Sequence, residues 1–269
     1  MSNMTALITG ASRGIGRAIA LKLAERGYNL ELVCRNNINM LNDFASELTA
    51  KYGVTCHTYA GNIGDYGFVQ EVFSHIDKLD VLINNAGISY FGLITDMTPE
   101  EWKNVMSINL DSVFYTSKHA AKLMLREHSG HIINISSVWG NVGASLETAY
   151  SASKGAVNSF TKAMAKELAP SGISVNAIAC GIIDTDMNGH LSPEELQAVT
   201  NEIPADRMGT PEEPGIPCGS SGGSFVRRLA PSRHYARPQA VPWALPHANF
   251  PVPYAYFACA IWRSARHAC

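Results

Sequence analysis

With 269 residues, 46% of them hydrophobic, the chain is long enough for one well-buried α/β domain, and its length does not demand a second. A formal net charge of −2 argues against a nucleic-acid surface, and no run approaches the roughly eighteen apolar residues of a membrane span. Six Cys show neither Cys-x-x-Cys spacing nor a neighbouring His pattern, so no metal site is expected, and reduced thiols of a cytoplasmic protein are the better reading. The first strand starts within a few residues of Met1, which leaves no room for a signal peptide.

Thr5–Ile8 is a short apolar strand, closed by the glycine-rich turn Thr9-Gly10-Ala11-Ser12-Arg13-Gly14-Ile15-Gly16. Ile15, Ile19 and Leu23 then recur as on an amphipathic helix over Ile15–Arg26. A glycine turn between strand and helix lets backbone approach a pyrophosphate at the helix N-terminus. Further strands are expected at Asn29–Cys34, Thr55–Ala60, Val81–Asn84, His131–Ser136 and Ser174–Ala179, mostly continuous apolar runs suited to parallel strands covered on both faces. Helical patterns fall between them. Right-handed crossovers then build a doubly wound, Rossmann-like α/β fold with a six-stranded parallel sheet. Between Thr98 and Ser129 a helix is expected, with Thr98 as cap, Pro99 at its first position and Glu101 completing a capping box. Ser192-Pro193-Glu194-Glu195 repeats that start signal.

Tyr150 and Lys154 stand four apart, so on a helix they share a face. The Lys ammonium is expected to stabilise phenolate and lower the Tyr pKa, readying it to protonate a nascent alkoxide. Ser137, ending a strand at the same rim, can hold a carbonyl oxygen. These groups and the glycine turn describe hydride transfer between a nicotinamide and a carbonyl. The ribose-discriminating residue is expected about twenty residues after the turn, where the chain reads Cys34-Arg35-Asn36. No carboxylate is there to bind a ribose diol, whereas Arg35 suits a 2′-phosphate and Arg13 can approach the same group. NADP(H) is favoured over NAD(H).

The pattern fails after Glu213. Thr210-Pro211-Glu212-Glu213 is a third helix start, but Pro214, Gly215, Pro217 and Gly219 follow at once. Residues 214–269 contain no Asp, Glu or Lys, yet hold eight of the 13 Pro and six Arg. The expected division is a nucleotide-binding domain over 1–213 and an irregular tail over 214–269, either a separately acquired segment or the product of another reading frame.

Taken together, these motifs resemble the short-chain dehydrogenase/reductase family, in particular its 3-oxoacyl-carrier-protein reductase-like branch, over residues 4–213. The resemblance implies that Asn109, in Ser-Ile-Asn-Leu, holds a relay water near the catalytic Ser137, Tyr150 and Lys154, and that Tyr150 and Lys154 also meet the cofactor. It implies further cofactor contacts from Gly10, Ser12, Arg13, Gly14, Ile15, Gly16, Arg35, Asn62, Ile63, Asn85, Ala86, Gly87, Gly181, Ile183 and Thr185. Asn62 stands where the family usually has Asp, and Cys180 where it usually has Pro. The family's final helix, strand and Asp-Gly-Gly ending are absent after Glu213, so six strands are expected rather than seven. A homo-oligomer is normal for the family, and one interface is expected to be weakened here. The substrate implied is a small-molecule or thioester-bound ketone. Basic residues that would receive an acidic carrier protein are sparse: Arg126-Glu127-His128-Ser129 and Pro170-Ser171-Gly172 offer one firm cation. Ala-Cys-Gly-Ile-Ile-Asp-Thr is also similar to reductases of an aminopentanone modification of elongation factor P. A catalytically impaired cofactor-binding protein is the remaining alternative.

Overall fold

The computed structural model describes residues 4–189, 191–201, 203 and 205–215. Its centre is a parallel sheet of β1 (Thr5–Thr9), β2 (Asn29–Cys34), β3 (Cys56–Ala60), β4 (Val81–Asn84), β5 (Gly130–Ser137) and β6 (Ile173–Cys180), in the order β3-β2-β1-β4-β5-β6. All six expected strands form, each within a residue or two of its expected ends. Two consecutive runs that reverse direction at β1/β4 make this the doubly wound arrangement, whose crevice opens at the carboxyl ends of the strands. Among the described residues β6 pairs only with β5. The tail beyond Gly215 lies outside the described residues, and with it the expectations of irregularity and of a missing seventh strand.

One face of the sheet packs on α1 (Gly14–Ala24) and α2 (Ile38–Tyr52), burying Ile8, Leu23, Leu30, Leu32, Leu41 and Leu48 completely. The other packs on α3 (Tyr66–Ser74), α5 (Ser112–Glu127) and α7 (Thr148–Leu168), through Leu7, Val69, Leu82, Met124 and Ile132. With two buried faces, the alternation of polar residues seen in half-exposed strands is unnecessary, which is why β1 and β4 read as unbroken apolar runs.

The capping signal at Thr98 starts α4 (Pro99–Met106) as expected: the Thr98 hydroxyl accepts the Glu101 N–H at 3.2 Å, and Glu101 accepts the Thr98 N–H at 2.8 Å. Thr98→Ala removes one of these bonds and should cost about 1 kcal/mol in urea unfolding; an unchanged midpoint would mean the cap contributes nothing. Where one helix was expected, α4 and α5 are joined through a π-helical stretch, Ser107–Asp111. Ser192 and Glu195 form a second capping box before α8 (Pro193–Asn201). At the third start signal Glu213 is taken by Arg207 at 2.7 Å, and the described residues end in a 3₁₀ turn over Glu213–Gly215.

Candidate active site

The crevice is framed by β1, β4, β5 and β6. Gly10 has a positive φ of 67°, and a Cβ at Gly16 would collide with the Gly10 carbonyl and the Asn85 amide, so the turn closes only with glycine at both positions. Asn85 donates to the carbonyls of Thr9 and Gly10 at 3.0 and 3.1 Å, while the Thr9 hydroxyl accepts the N–H groups of Asn85 and Ala86 at 3.0 Å. The Asn85 side chain thus braces the turn against β4. Ser12, Arg13 and Gly14 lead into α1, and Ile15 packs on the core below it. A Cβ at Gly14 would come within 3.2 Å of the Thr185 methyl, which brings the segment after β6 over the turn. Gly181, Ile183 and Thr185 lie on that segment, which is held by the bridge Ile183–Gly209 and by an exposed ion pair, Arg13 to Asp186 at 3.2 Å.

Arg35 is exposed immediately after β2. The carboxylate within that strand, Glu31, is engaged across the sheet by β3: it accepts the Tyr59 hydroxyl at 2.8 Å and lies 3.0 Å from His57 Nδ1. Asn62 spends its amide oxygen on the Gly64 N–H at 3.1 Å, which leaves one lone pair for an adenine amino group. Ile63 buries its side chain in the core, so only its backbone is available to a nucleotide.

Ser137 ends β5 and accepts the Trp139 N–H at 3.2 Å. Tyr150 and Lys154 occupy the first two turns of α7, with Lys154 Nζ 5.6 Å from the Tyr150 ring centroid and donating to the Ile135 carbonyl at 2.8 Å. Tight apposition sets this geometry. A Cβ at Gly140, in the short helix α6 (Trp139–Val142), would fall 2.6 Å from the Lys154 carbonyl carbon, and one at Gly155 would fall 3.1 Å from the Gly140 oxygen. Asn109 sits in the π-helical stretch, fully buried, bonded to the Ile88 N–H at 2.8 Å, the Ile88 carbonyl at 2.9 Å and the Ser153 hydroxyl at 3.0 Å. Both its side-chain N–H donors are used, so its side chain could meet a relay water only through Oδ1. Gly87 stands between Asn109 and Lys154, and its missing Cβ leaves open the space about 3.5 Å from both.

The pKa pattern departs from the expectation in one respect. Lys154 was expected to lower the Tyr150 pKa, but burial raises the phenol to about 12; a hydrogen bond from Ser137 works downward, and Glu147 and Cys180 add to the rise. Lys154 is itself pulled down to about 8 by burial, so its charge is costly where it stands. Cys180, beside Ser137 in the β5–β6 register, is held up at about 11 by burial despite Lys154 nearby. It is a thiol at neutral pH and not a nucleophile.

Two features escaped the sequence. A buried polar network joins Asn84 to Ser117, Thr116 and Asn134, and Asn134 to Thr161, at 2.7–3.1 Å under the crevice floor. Glu147, one turn before Tyr150, accepts a hydrogen bond from Ser89. The open glycine cradle, the turn at a helix N-terminus and the buried Tyr–Lys pair fit a dinucleotide with a nicotinamide ring.

The family model for short chain dehydrogenase matches residues 4–196. The chain belongs to this family. It is 41% identical over 212 residues to an uncharacterized oxidoreductase, YmfI, of Bacillus subtilis, covering 78% of this chain and 88% of that one. It is 43% identical over 209 residues to the 3-oxoacyl-[acyl-carrier-protein] reductase FabG of Staphylococcus aureus, covering 76% and 85%. A solved structure described as a putative NAD(P)-dependent gluconate 5-dehydrogenase from Beutenbergia cavernae, with bound NADP at low occupancy, superposes with a TM-score of 0.74 at 32% identity over 80% of this chain and 87% of that one. The 3-oxoacyl-[acyl-carrier protein] reductase of Brucella melitensis gives 0.74 at 33% identity over 79% and 81%. This short chain dehydrogenase is therefore a nicotinamide-dependent oxidoreductase acting on CH–OH or C=O groups. Among the described residues no helix is long and apolar enough to cross a membrane.

Proposed function

We propose that this chain is an NADP(H)-dependent reductase that converts a ketone to a secondary alcohol, on a small-molecule or 3-oxoacyl-thioester-like substrate. The observation that carries the reading is the convergence of Ser137, Tyr150 and Lys154 where β5 and α7 meet the glycine turn. A bound nicotinamide supplies hydride. Ser137, with its oxygen already fixed by the Trp139 N–H, points its hydroxyl proton at the ketone oxygen. Tyr150, protonated at neutral pH, gives that oxygen a proton as charge develops on it. Lys154 holds the cofactor ribose and refills the phenol, and Asn109 fixes the loop after β4 so that Gly87 stays open beside Lys154.

The glycine turn, Ser12 and Ile15 receive the pyrophosphate side, Asn62, Ile63, Asn85 and Ala86 the adenosine, and Gly181, Ile183 and Thr185 the nicotinamide amide. NADP(H) is supported by Arg35 at the end of β2 and by the engagement of Glu31 elsewhere. A 2′-phosphate would compete with Asp186 for Arg13. An arginine–phosphate contact is worth about 1.5–3 kcal/mol, so Arg35→Asp should shift the kcat/KM preference from NADPH toward NADH by more than about tenfold. Nucleotide oxidation followed with a 3-oxoacyl thioester and with a simple aryl ketone tests both halves. A wild-type preference for NADH would sink the cofactor assignment.

A further inference from the structure

Beyond β6 the chain returns over the glycine turn as a strap, residues 181–189. The root of the strap is fixed by backbone: the Asp184 N–H donates to the Gly209 carbonyl at 2.8 Å, and the Gly209 N–H to the Ile182 carbonyl at 2.9 Å. Its tip is one 3₁₀ turn, Asp186–Asn188, whose backbone bonds are local. The Asn188 N–H reaches the Thr185 carbonyl and the Gly189 N–H the Asp186 carbonyl, both at 3.1 Å. The tip meets the glycine turn through the Thr185 methyl, over Gly14, and through Asp186 Oδ2, 3.2 Å from Arg13 Nη1. Among the ion pairs of the described residues, this is the one that crosses from the turn to the strap.

Arg13 stands at the corner read as the 2′-phosphate site. The Ala11 N–H donates to the Val33 carbonyl at 3.0 Å, so the turn is bonded to the end of β2 that delivers Arg35. The two arginines differ in state. Arg35 is exposed and makes no ion pair among the described residues, whereas Arg13 already holds a carboxylate. The Arg13 and Asp186 side chains are 67% and 72% exposed, so water screens their attraction. A phosphate dianion, which a guanidinium can grip with two parallel bonds, displaces such a partner. A pair kept in both the free protein and a complex cancels from the affinity. One that is lost on binding is subtracted from it.

We infer that Asp186 is a cofactor-specificity residue: its carboxylate stands in for the 2′-phosphate on Arg13 and latches the strap to the glycine turn until a nucleotide carrying that phosphate displaces it. The inference rests on the NADP(H) reading. NAD(H) has no phosphate to exchange for the carboxylate and leaves the latch closed. Asp186 therefore works against NADP(H) affinity, and it ties release of the strap to the one group that distinguishes the two cofactors.

Adenosine 2′,5′-bisphosphate and 5′-AMP test it, because they differ in the 2′-phosphate and neither carries a nicotinamide that would itself touch the strap. By calorimetric titration, Asp186→Asn should tighten the bisphosphate by about two- to fivefold, the range of an exposed ion pair, and leave 5′-AMP unchanged. In an Arg13→Gln background the same substitution should change neither. Hydrogen exchange at residues 185–189 of the wild-type protein should quicken by a similar factor with the bisphosphate and not with 5′-AMP, and in Asp186→Asn it should already be fast. An unchanged bisphosphate Kd in Asp186→Asn, an equal gain without Arg13, or the same exchange with both nucleotides overturns the latch while the NADP(H) reading stands. Equal wild-type affinity for the two nucleotides, or an Arg13→Gln protein that binds the bisphosphate normally, removes the 2′-phosphate from Arg13 and the inference with it.

Discussion

Tyr150→Phe should reduce ketone reduction by about 10²–10⁴-fold while NADPH still binds, because it removes a general acid and changes little of the shape around it. The phenol is raised to about 12 by burial and by Glu147 and Cys180, so it is fully protonated at neutral pH and ready to donate. The same shift makes it a poor base. Reduction should therefore be insensitive to the ionisation of Tyr150 below about pH 10, whereas oxidation of the product alcohol needs phenolate and should climb with pH through the same range. Turnover in both directions against pH, with nucleotide affinity followed by NADPH fluorescence, checks the pair of statements. Near-normal reduction by the Phe variant would remove Tyr150 from the chemistry.

The parts of this site that could be read from sequence are those whose information is local. The glycine turn needs particular residues at adjacent positions, and Thr98-Pro99-Glu101 specifies a helix start within four residues. Tyr150 and Lys154 are one helical turn apart. What was missed depends on pairs far apart in the chain. Asn84 meets Asn134 across 50 residues, and nothing near either marks it as part of a buried network rather than a turn. Glu147 meets Ser89 across 58, and at its own position it looks like a solvated carboxylate at a helix start. Gly140 and Gly155 matter only because α6 lies against α7. The π-helical stretch follows from tertiary demand too: it turns Asn109 inward to the Ile88 backbone, a contact that helical periodicity cannot foresee. The pKa expectation failed for a related reason. A neighbouring charge is visible in the spacing, but the burial that raises Tyr150 is set by the packing of β5, β6 and α7.

Lys154 gives the second large effect, on stability. The residue is 5% exposed, its ammonium donates to the Ile135 carbonyl, and burial lowers its pKa from 10.5 to about 8. Below about pH 8 both folded and unfolded chains carry the proton, and the full cost of burying it is present, about 3 kcal/mol. Between pH 8 and 10.5 the folded chain sheds the proton while the unfolded chain keeps it, so this contribution to stability rises with pH. Cys180, at about 11, and Tyr150, at about 12, act in the opposite direction once pH passes their unfolded values of 9.0 and 10.0. The contribution of Lys154 is therefore read as a difference from Lys154→Met, which keeps the volume and removes the charge. In nucleotide-free protein near pH 7 the Met variant should be more stable than wild type, and catalytically defective. Its advantage should shrink by about 2 kcal/mol by pH 9.5 in parallel urea titrations. A gap that does not change with pH would mean that Lys154 titrates normally. The sequence would then carry no stability penalty for its ammonium. If the gap closes as expected, the lysine is kept at a cost to the fold, which is the mark of a residue retained for chemistry.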